Sequence, residues 1–312
     1  MIGKLTNDSA QIKFNILAFS TSETGRIVLF ITILLIYLIV VAGNLVIITL
    51  VCLVSQLHTS MYFFLCNLSV LDILYVSTTL PKLLYITQTG YHMVSYAACI
   101  AQLYLFLFFA DTESFLLTSM AFDRYVAICF PLHYSLIMSK PVCVLLAFPA
   151  WFMAAINALI LTCFVSGLSF NHFNEVNNFF CDLKALIIAS PNDTTFLKKF
   201  ITIDGMFIGA VPLLLILTSY GCIIFTILKI QSSVGRRKTF SSCTSHITIV
   251  VVYYCSALCL YMQYAQELDK LFAVMFVTLV PLLNPLVYSL RNKDVLSAMK
   301  RIKQYQKTNP IQ

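Results

Sequence analysis

Seven long apolar runs follow one another along the chain, and each can cross a lipid bilayer as a helix. Such a crossing needs about 20 mostly apolar residues. The runs lack the alternation of apolar and polar positions that a membrane β-barrel requires. The pattern therefore predicts an all-α membrane protein, a bundle of seven transmembrane helices at residues 27–53, 61–86, 97–129, 141–166, 196–229, 240–262 and 271–290.

These helices form one domain over residues 27–290. It lies between an N-terminal segment at 1–26 and a tail at 291–312 with a short amphipathic segment. Lys and Arg are more numerous in the tail, and in the connections on its side of the bundle, than on the opposite side. Cytoplasmic segments of membrane proteins carry such an excess. We therefore expect a cytoplasmic tail and an extracellular N-terminus.

Composition supports a protein that is embedded in membrane lipid. Hydrophobic residues make up 60% of the chain and charged residues 11%, whereas a soluble domain is about half apolar and about a quarter charged. The net charge of +7 is scattered between the apolar runs, so it does not indicate a nucleic-acid partner. No grouping of nucleophile, base and orienting residue occurs, so we do not expect an enzyme or an organic cofactor.

The outer side of the predicted bundle carries two kinds of modification signal. The triplets "NDS" at Asn7 and "NDT" at Asn192 are acceptor patterns for N-glycosylation. Cys99 opens the third helix on that side, and Cys181 lies in the second outer loop. Because the outside of a cell is oxidising, these two cysteines can form a disulfide.

Several polar residues fall inside the apolar runs, where they are costly and usually functional. Asp111 and Glu113 are two positions apart on the third helix and therefore point to nearly opposite sides. Glu113 and Asp72 lie at the mid-depth of neighbouring helices. Two carboxylates there can hold a sodium ion or water, or they can share a proton and lock the packing. Both interpretations stay open.

Six motifs in chain order resemble the signature of vertebrate olfactory receptors, which are rhodopsin-like G-protein-coupled receptors. They are "MYFFLCNLSVLDI" (61–73), "MAFDRYVAIC" (120–129), "LHY" (132–134), "SY" (219–220), "KTFSSCTSHI" (238–247) and "PLLNPLVYSLRNKDV" (281–295). The resemblance covers nearly the whole chain. It implies a plasma-membrane receptor that binds a small odorant and activates a heterotrimeric G protein of the stimulatory olfactory type, which raises cyclic AMP.

Two alternatives to an odorant receptor remain. A related receptor for a non-odorant ligand would share every motif. A small transporter or channel would need polar residues along a continuous pore, whereas the buried polar residues here cluster at mid-depth and at the inner edge.

The resemblance also implies roles for individual residues. Arg124 would leave Asp123 on activation and reach toward the G protein, and Cys99 would be bonded to Cys181. The activation and coupling set comprises Asp123, Arg124, Tyr125, Tyr220, His246, Asn284, Pro285 and Tyr288.

By resemblance, the ligand pocket lies in the outer half of the bundle, between the third, fifth, sixth and seventh helices. Most of its expected lining is apolar, as a sparingly soluble ligand needs. Asp111 and Asp204 face each other across it, which predicts a cationic ligand such as an amine; in the alternative, one or both are neutral and bond internally. The lining residues are Leu107, Ala110, Asp111, Ser114, Asp204, Ile208, Tyr254, Ala257, Leu258 and Tyr261.

The chain departs from the family pattern at several places, among them mild changes in "AFDRY" and "KTFSSC". Family members usually carry two further cysteines in the second outer loop, and Asn171 and Ser190 occupy those positions here. We therefore expect a looser loop. The proline that usually precedes "MYFFL" is replaced by Ser60.

Overall fold

The computed structural model describes residues 12–19, 22–261 and 266–290, and seven helices in these ranges are long and apolar enough to cross a membrane. The predicted all-α bundle is therefore confirmed. The bundle helices are α1 (Glu23–Leu53), α2 (Ser60–Thr89), α3 (Tyr96–Cys129), α4 (Lys140–Ser166), α5 (Thr195–Leu228), α6 (Ser233–Tyr261) and α7 (Gln266–Leu290). The tail at 291–312, with its predicted amphipathic segment, lies outside the described residues.

The helix boundaries follow from capping residues rather than from the ends of the apolar runs. The Ser22 and Ser95 hydroxyls accept the N–H of Gly25 and of Ala98, and so start α1 and α3. Gly90, with φ of 71°, ends α2 in the left-handed conformation that glycine tolerates best. As a result, α1 begins four residues earlier than its apolar run, at Glu23 instead of 27.

Two helices depart from uniform α geometry or spacing. A π-helical turn at Met206–Ala210 interrupts α5, and such turns redirect the backbone carbonyls beside them. The first and last helices approach closely at Gly43, where a Cβ atom would lie 3.0 Å from Cβ of Pro285. A larger residue at position 43 would therefore push α1 and α7 apart.

Three short strands form a sheet at one end of the bundle, which we call the sheet end. The hydrophobic pattern did not predict them. Strand β1 (Lys13–Ile16) lies between β2 (Met93–Ser95) and β3 (Phe173–Val176), antiparallel to the first and parallel to the second. Phe14 and Ile16 of β1 are fully buried. The Lys270 ammonium of α7 also donates to the Leu17 carbonyl, 3.2 Å away, so the N-terminal segment is anchored to the bundle.

The loop at 167–194 is also fixed at the sheet end. The disulfide between Cys99 and Cys181 joins it to α3. The Asn192 side-chain oxygen accepts the N–H of Ser169 at 2.7 Å and the hydroxyl of Ser190 at 3.0 Å. Hydrogen bonds therefore join the two arms of this loop at Ser190, where a second disulfide is absent.

Candidate functional site: buried polar groups at three depths of the bundle

At the end of the bundle opposite the sheet, which we call the Arg124 end, Asp123 and Arg124 form an ion pair. Nη2 and Nε of Arg124 donate to Oδ2 of Asp123, at 2.7 and 3.2 Å. Asp123 is buried. Its other oxygen, Oδ1, accepts the hydroxyls of Ser60 at 2.6 Å and of Tyr134 at 2.8 Å. Both carboxylate oxygens are therefore fully used, and the pair is closed.

His246 connects three helices about two turns deeper. Its Nε2 atom lies 3.0 Å from the Leu117 carbonyl of α3. A carbonyl can only accept, so Nε2 carries the hydrogen and Nδ1 is the acceptor. The Tyr220 hydroxyl of α5 donates to that Nδ1 at 2.7 Å. Both ring nitrogens of this buried histidine are thus satisfied, and α3, α5 and α6 are held together.

The other predicted switch residues occupy separate positions. The Tyr125 ring packs edge-on against Phe130, with centroids 5.6 Å apart. Pro285 contacts the α1 glycine described above. The side chain of Tyr288 lies outside the described part of the structure. In this conformation the Tyr220 hydroxyl is bonded to His246.

At mid-depth, several buried oxygen acceptors lack a described donor. Asn284 donates to both carboxylate oxygens of Asp72, at 3.1 and 3.0 Å. Glu113 is buried beside Asp72. Its Oε1 atom has no hydrogen-bond partner among the described residues, and neither have the side-chain oxygens of Asn44 and Asn284. Buried acceptors that lack donors need a proton, water or a cation.

These oxygens fit the chemistry of a hard cation such as sodium, because carboxylate and amide oxygens are the ligands that such ions prefer. Among the described residues, however, no group of three His, Cys, Asp or Glu side chains is placed to hold a metal ion. A sodium ion at Asp72 and Glu113 would therefore need the amide oxygens or water to complete its shell.

Nearer the sheet end, Asp111 and Asp204 lie together, as predicted. One amide joins them: Nδ2 of Asn157 donates to Oδ2 of Asp111 at 2.9 Å and to Oδ2 of Asp204 at 3.3 Å. This group, Asp111, Asn157 and Asp204, is called the acidic cluster below. The sequence reasoning missed Asn157, although an amide inside the apolar run of 141–166 is the same signal that identified the other polar residues.

Three of the predicted lining residues meet one turn further from the sheet end than the acidic cluster, and a fourth, Ala110, lies beside the cluster on α3. The Ser114 hydroxyl lies 3.0 Å from the Tyr254 hydroxyl and 3.3 Å from the Ile208 carbonyl. That carbonyl belongs to the π-helical turn of α5. Ala110 is buried, and its carbonyl accepts the hydroxyl of Tyr253, a second tyrosine that the sequence did not single out. Here α3, α5 and α6 are therefore connected by hydrogen bonds.

Leu258 is a correction to the predicted lining. Its side chain is 59% exposed on the surface of the bundle. It continues the outward stripe of α6 that includes Val251 and Cys255, which recur at helical spacing. Leu107 is buried and Ala257 half-buried, whereas the side chain of Tyr261 lies outside the described residues.

The structure has seven membrane helices and a buried Asp–Arg ion pair at one end of the bundle. This is the architecture of a seven-helix signalling receptor. A family model described as olfactory receptor matches residues 33–306. The chain is 43% identical to Olfactory receptor 1G1 of Gorilla gorilla gorilla, over 93% of this chain and 94% of that protein. It is 42% identical to Olfactory receptor 1J4 of Homo sapiens, over 96% and 97%, and 42% identical to Olfactory receptor 1J21 of Mus musculus, over 95% and 96%.

The chain therefore belongs to the olfactory receptor family. It is a multi-pass plasma-membrane receptor that senses odorants, takes a small-molecule ligand and couples to a G protein, and it is not an enzyme.

Proposed function

We propose that this receptor binds its odorant near the sheet end, between α3, α5, α6 and α7, and activates a stimulatory olfactory-type Gα that raises cyclic AMP. The observation that carries this proposal is three groups of polar contacts that follow one another along α3 toward the Arg124 end. They are Ser114 with Tyr254, His246 with Tyr220 and the Leu117 carbonyl, and the closed Asp123–Arg124 pair. Both α5 and α6 take part in the first two groups, so a ligand that moves either helix near Ser114 alters the contacts of His246 as well.

The proposal places the sheet end, and with it the N-terminus, outside the cell. Three features support that orientation. The disulfide at this end needs an oxidising compartment. Asn192, in a glycosylation triplet, is exposed there. The basic residues are more numerous at the opposite end, as cytoplasmic segments require.

Activation in this scheme is a shift between two populated states. A ligand stabilises the active state only as far as it binds that state more tightly. In that state α6 swings outward at the Arg124 end, which separates Tyr220 from His246 and frees Arg124 to contact the G protein. The hydrogen bonds of Ser114 are the contacts nearest the ligand that must rearrange.

The acidic cluster supports a cationic ligand such as an amine. The Asn157 amide supplies two N–H donors to two carboxyl groups that together present about eight acceptor positions. Among the described residues, no Lys, Arg or His lies within 4.0 Å of either carboxyl group. An ammonium group would supply the missing positive charge; if instead one carboxyl is protonated, neutral ligands bind equally well.

The coupling proposal is tested by a screen of amines, acids, alcohols and esters with a cyclic AMP readout. The parent receptor should respond to at least one class. Arg124→Ala should reach the cell surface and lose about 90% or more of that response, because the contact with the G protein is removed. A surface-delivered Arg124→Ala receptor that signals like the parent would contradict the scheme.

The ligand class is tested by Asp111→Asn and Asp204→Asn. Each should raise the half-maximal amine concentration about tenfold or more, since an ion pair in a buried site is lost. Asp193→Asn is the matched control, because that aspartate is exposed at the same end. If amine responses survive both cluster variants, the cationic-ligand proposal is wrong, whereas the receptor function stands.

A further inference from the structure

Ser60 occupies the first residue of α2, a position at which the motif resemblance leads us to expect proline. Proline is favoured at the first helical position because the N–H of that residue has no partner within the helix. Serine therefore costs the helix little at this position and adds a hydroxyl group. That hydroxyl is buried, 8% exposed, and donates to Oδ1 of Asp123 at 2.6 Å.

The same carboxylate oxygen is shared with Tyr134. The Tyr134 hydroxyl donates to Oδ1 of Asp123 at 2.8 Å and also lies against the Ser60 hydroxyl. Two hydroxyls carry two hydrogens, so only two of these three contacts can be hydrogen bonds at one time. Burial, together with the neighbouring Asp123, raises the pKa of Tyr134 to about 12. Tyr134 therefore keeps its hydrogen at any physiological pH.

The arrangement fixes the rotation of the carboxylate. With Oδ1 held by two hydroxyls, Oδ2 points to Arg124, which binds it with two donors. Hydrogen bonds from hydroxyls to a carboxylate are among the stronger ones in proteins. Removing the Ser60 hydroxyl leaves one donor on Oδ1 and loosens the carboxylate that retains Arg124.

We propose that Ser60 is a positioning residue of the activation switch, which holds Asp123 against Arg124 and so suppresses signalling in the absence of ligand. It acts through Asp123 and touches neither ligand nor G protein. A receptor with proline or alanine at this position lacks that donor and rests closer to its active state. The inference rests on the proposed coupling function, because its readout is the G-protein activity that Arg124 controls.

The experiment measures ligand-free guanine-nucleotide exchange on the G protein, per receptor at the cell surface, for Ser60→Ala, Ser60→Pro and Ser60→Thr. Alanine and proline should raise basal exchange about three- to tenfold, which corresponds to the net contribution of one typical hydrogen bond in a two-state equilibrium. Threonine retains the hydroxyl and should match the parent within about twofold. Ser60→Cys, similar in size but a weak donor, is the substitute if alanine does not reach the surface.

A second arm separates positioning from a general structural effect. In an Asp123→Asn background, which already weakens the pair, Ser60→Ala should change basal exchange by less than about twofold. Basal exchange equal to the parent in Ser60→Ala and Ser60→Cys overturns the inference, and so does an undiminished increase in the Asp123→Asn background. A parent that shows no ligand-stimulated exchange overturns the coupling proposal instead, so the two failures are distinguishable.

Discussion

The Arg124 end and the mid-depth of the bundle both bury several polar groups, but they differ in how these groups are satisfied. At the Arg124 end, each oxygen of Asp123 has its donors, and each nitrogen of His246 has a partner. At mid-depth, Glu113 and two asparagine side chains present oxygens that no described donor reaches.

The difference indicates two kinds of control. A fully bonded cluster has one preferred arrangement, and leaving it costs the free energy of its hydrogen bonds. A cluster with excess acceptors depends on something from outside, such as a proton, water or a cation. In the proposed scheme the Arg124 end therefore stabilises the closed state of the switch, whereas the centre of the bundle is where a proton, water or a cation can act.

The largest effect is expected for His246→Ala. It removes the hydrogen bonds to the Tyr220 hydroxyl and to the Leu117 carbonyl and opens a cavity, so the free energy of unfolding should fall by about 3 to 5 kcal/mol. Thermal unfolding of the purified receptor measures this loss. His58→Ala is the control, because His58 is exposed at the same end. Equal decreases in unfolding temperature for both variants would show that the hydrogen bonds of His246 do not stabilise the Arg124 end.

Asp182 in the loop at 167–194 is intermediate between the fully bonded groups and those without donors. It is buried, and its carboxylate accepts the N–H of Ala185. Burial raises the pKa of Asp182 from 3.8 to about 6 in the folded state. The folded receptor therefore binds this proton more tightly than the unfolded chain. The protonated Asp182 contributes its full stabilisation of the folded state below about pH 4. This contribution is lost as the pH rises to about 6, and above that pH the free energy of unfolding no longer depends on Asp182 titration.

Asp182→Asn should remove this dependence, because asparagine still caps the helix at Leu183–Ala189 and carries no proton to lose. Above pH 6.5 the variant should be more stable than the parent, by at most about 3 kcal/mol. Thermal unfolding between pH 4.5 and 7.5 measures the difference. A difference between variant and parent that is the same at every pH would contradict the assignment.

A smaller change in stability is expected at Asn192, which we propose as a glycosylation site. Asn7, the other predicted site, lies outside the described residues. Asn192→Ala and Thr194→Val both remove the acceptor triplet, so both should lose the same glycan mass on a gel. Only Asn192→Ala also removes the hydrogen bonds to Ser169 and Ser190, which should cost about 1 kcal/mol more. Equal unfolding temperatures would show that these bonds contribute nothing measurable.

The smallest change in stability is expected for Glu113→Gln without sodium, because its Oε1 atom has no described partner to lose. We propose that sodium binds at Asp72 and Glu113. Replacing choline chloride in the buffer by sodium chloride should therefore raise the unfolding temperature of the parent and of the exposed control Glu23→Gln. The unfolding temperature of Glu113→Gln should not change. A parent without a sodium effect would leave the proton-sharing pair as the better interpretation.

The helices could be predicted because each transmembrane helix satisfies its own backbone, so a continuous apolar run is sufficient evidence. The strands could not: β1 has only four residues, and its partners are far along the chain. Helical spacing on α3 correctly separated the directions of Asp111 and Glu113. The family resemblance, which placed Leu258 in the pocket lining, was wrong there, because the side chain lies on the exposed face of α6 together with Val251.

The contacts between helices were the least predictable part of the site. Asn157 stands out as an amide in an apolar run, and Ser60 as a departure from the family pattern. Neither signal shows which side chains lie opposite, namely Asp111 and Asp123. Tyr134 was recognised only as part of a motif, and its bond to Asp123 depends on how the connection between α3 and α4 folds back. Family motifs identify residues that many receptors share, whereas Ser60 distinguishes this chain from the usual pattern.

The position of β1 in the middle of its sheet has a consequence for how the receptor is made. Phe14 pairs with Val94 on one side and with Asn174 on the other. The second neighbour of β1 is therefore synthesised about 160 residues after β1 itself. At about 5 to 20 residues per second, it waits roughly 8 to 30 seconds for its second neighbour. The sheet can therefore form only after the first four helices have been synthesised, and an assembled sheet marks a nascent receptor whose first half is in place.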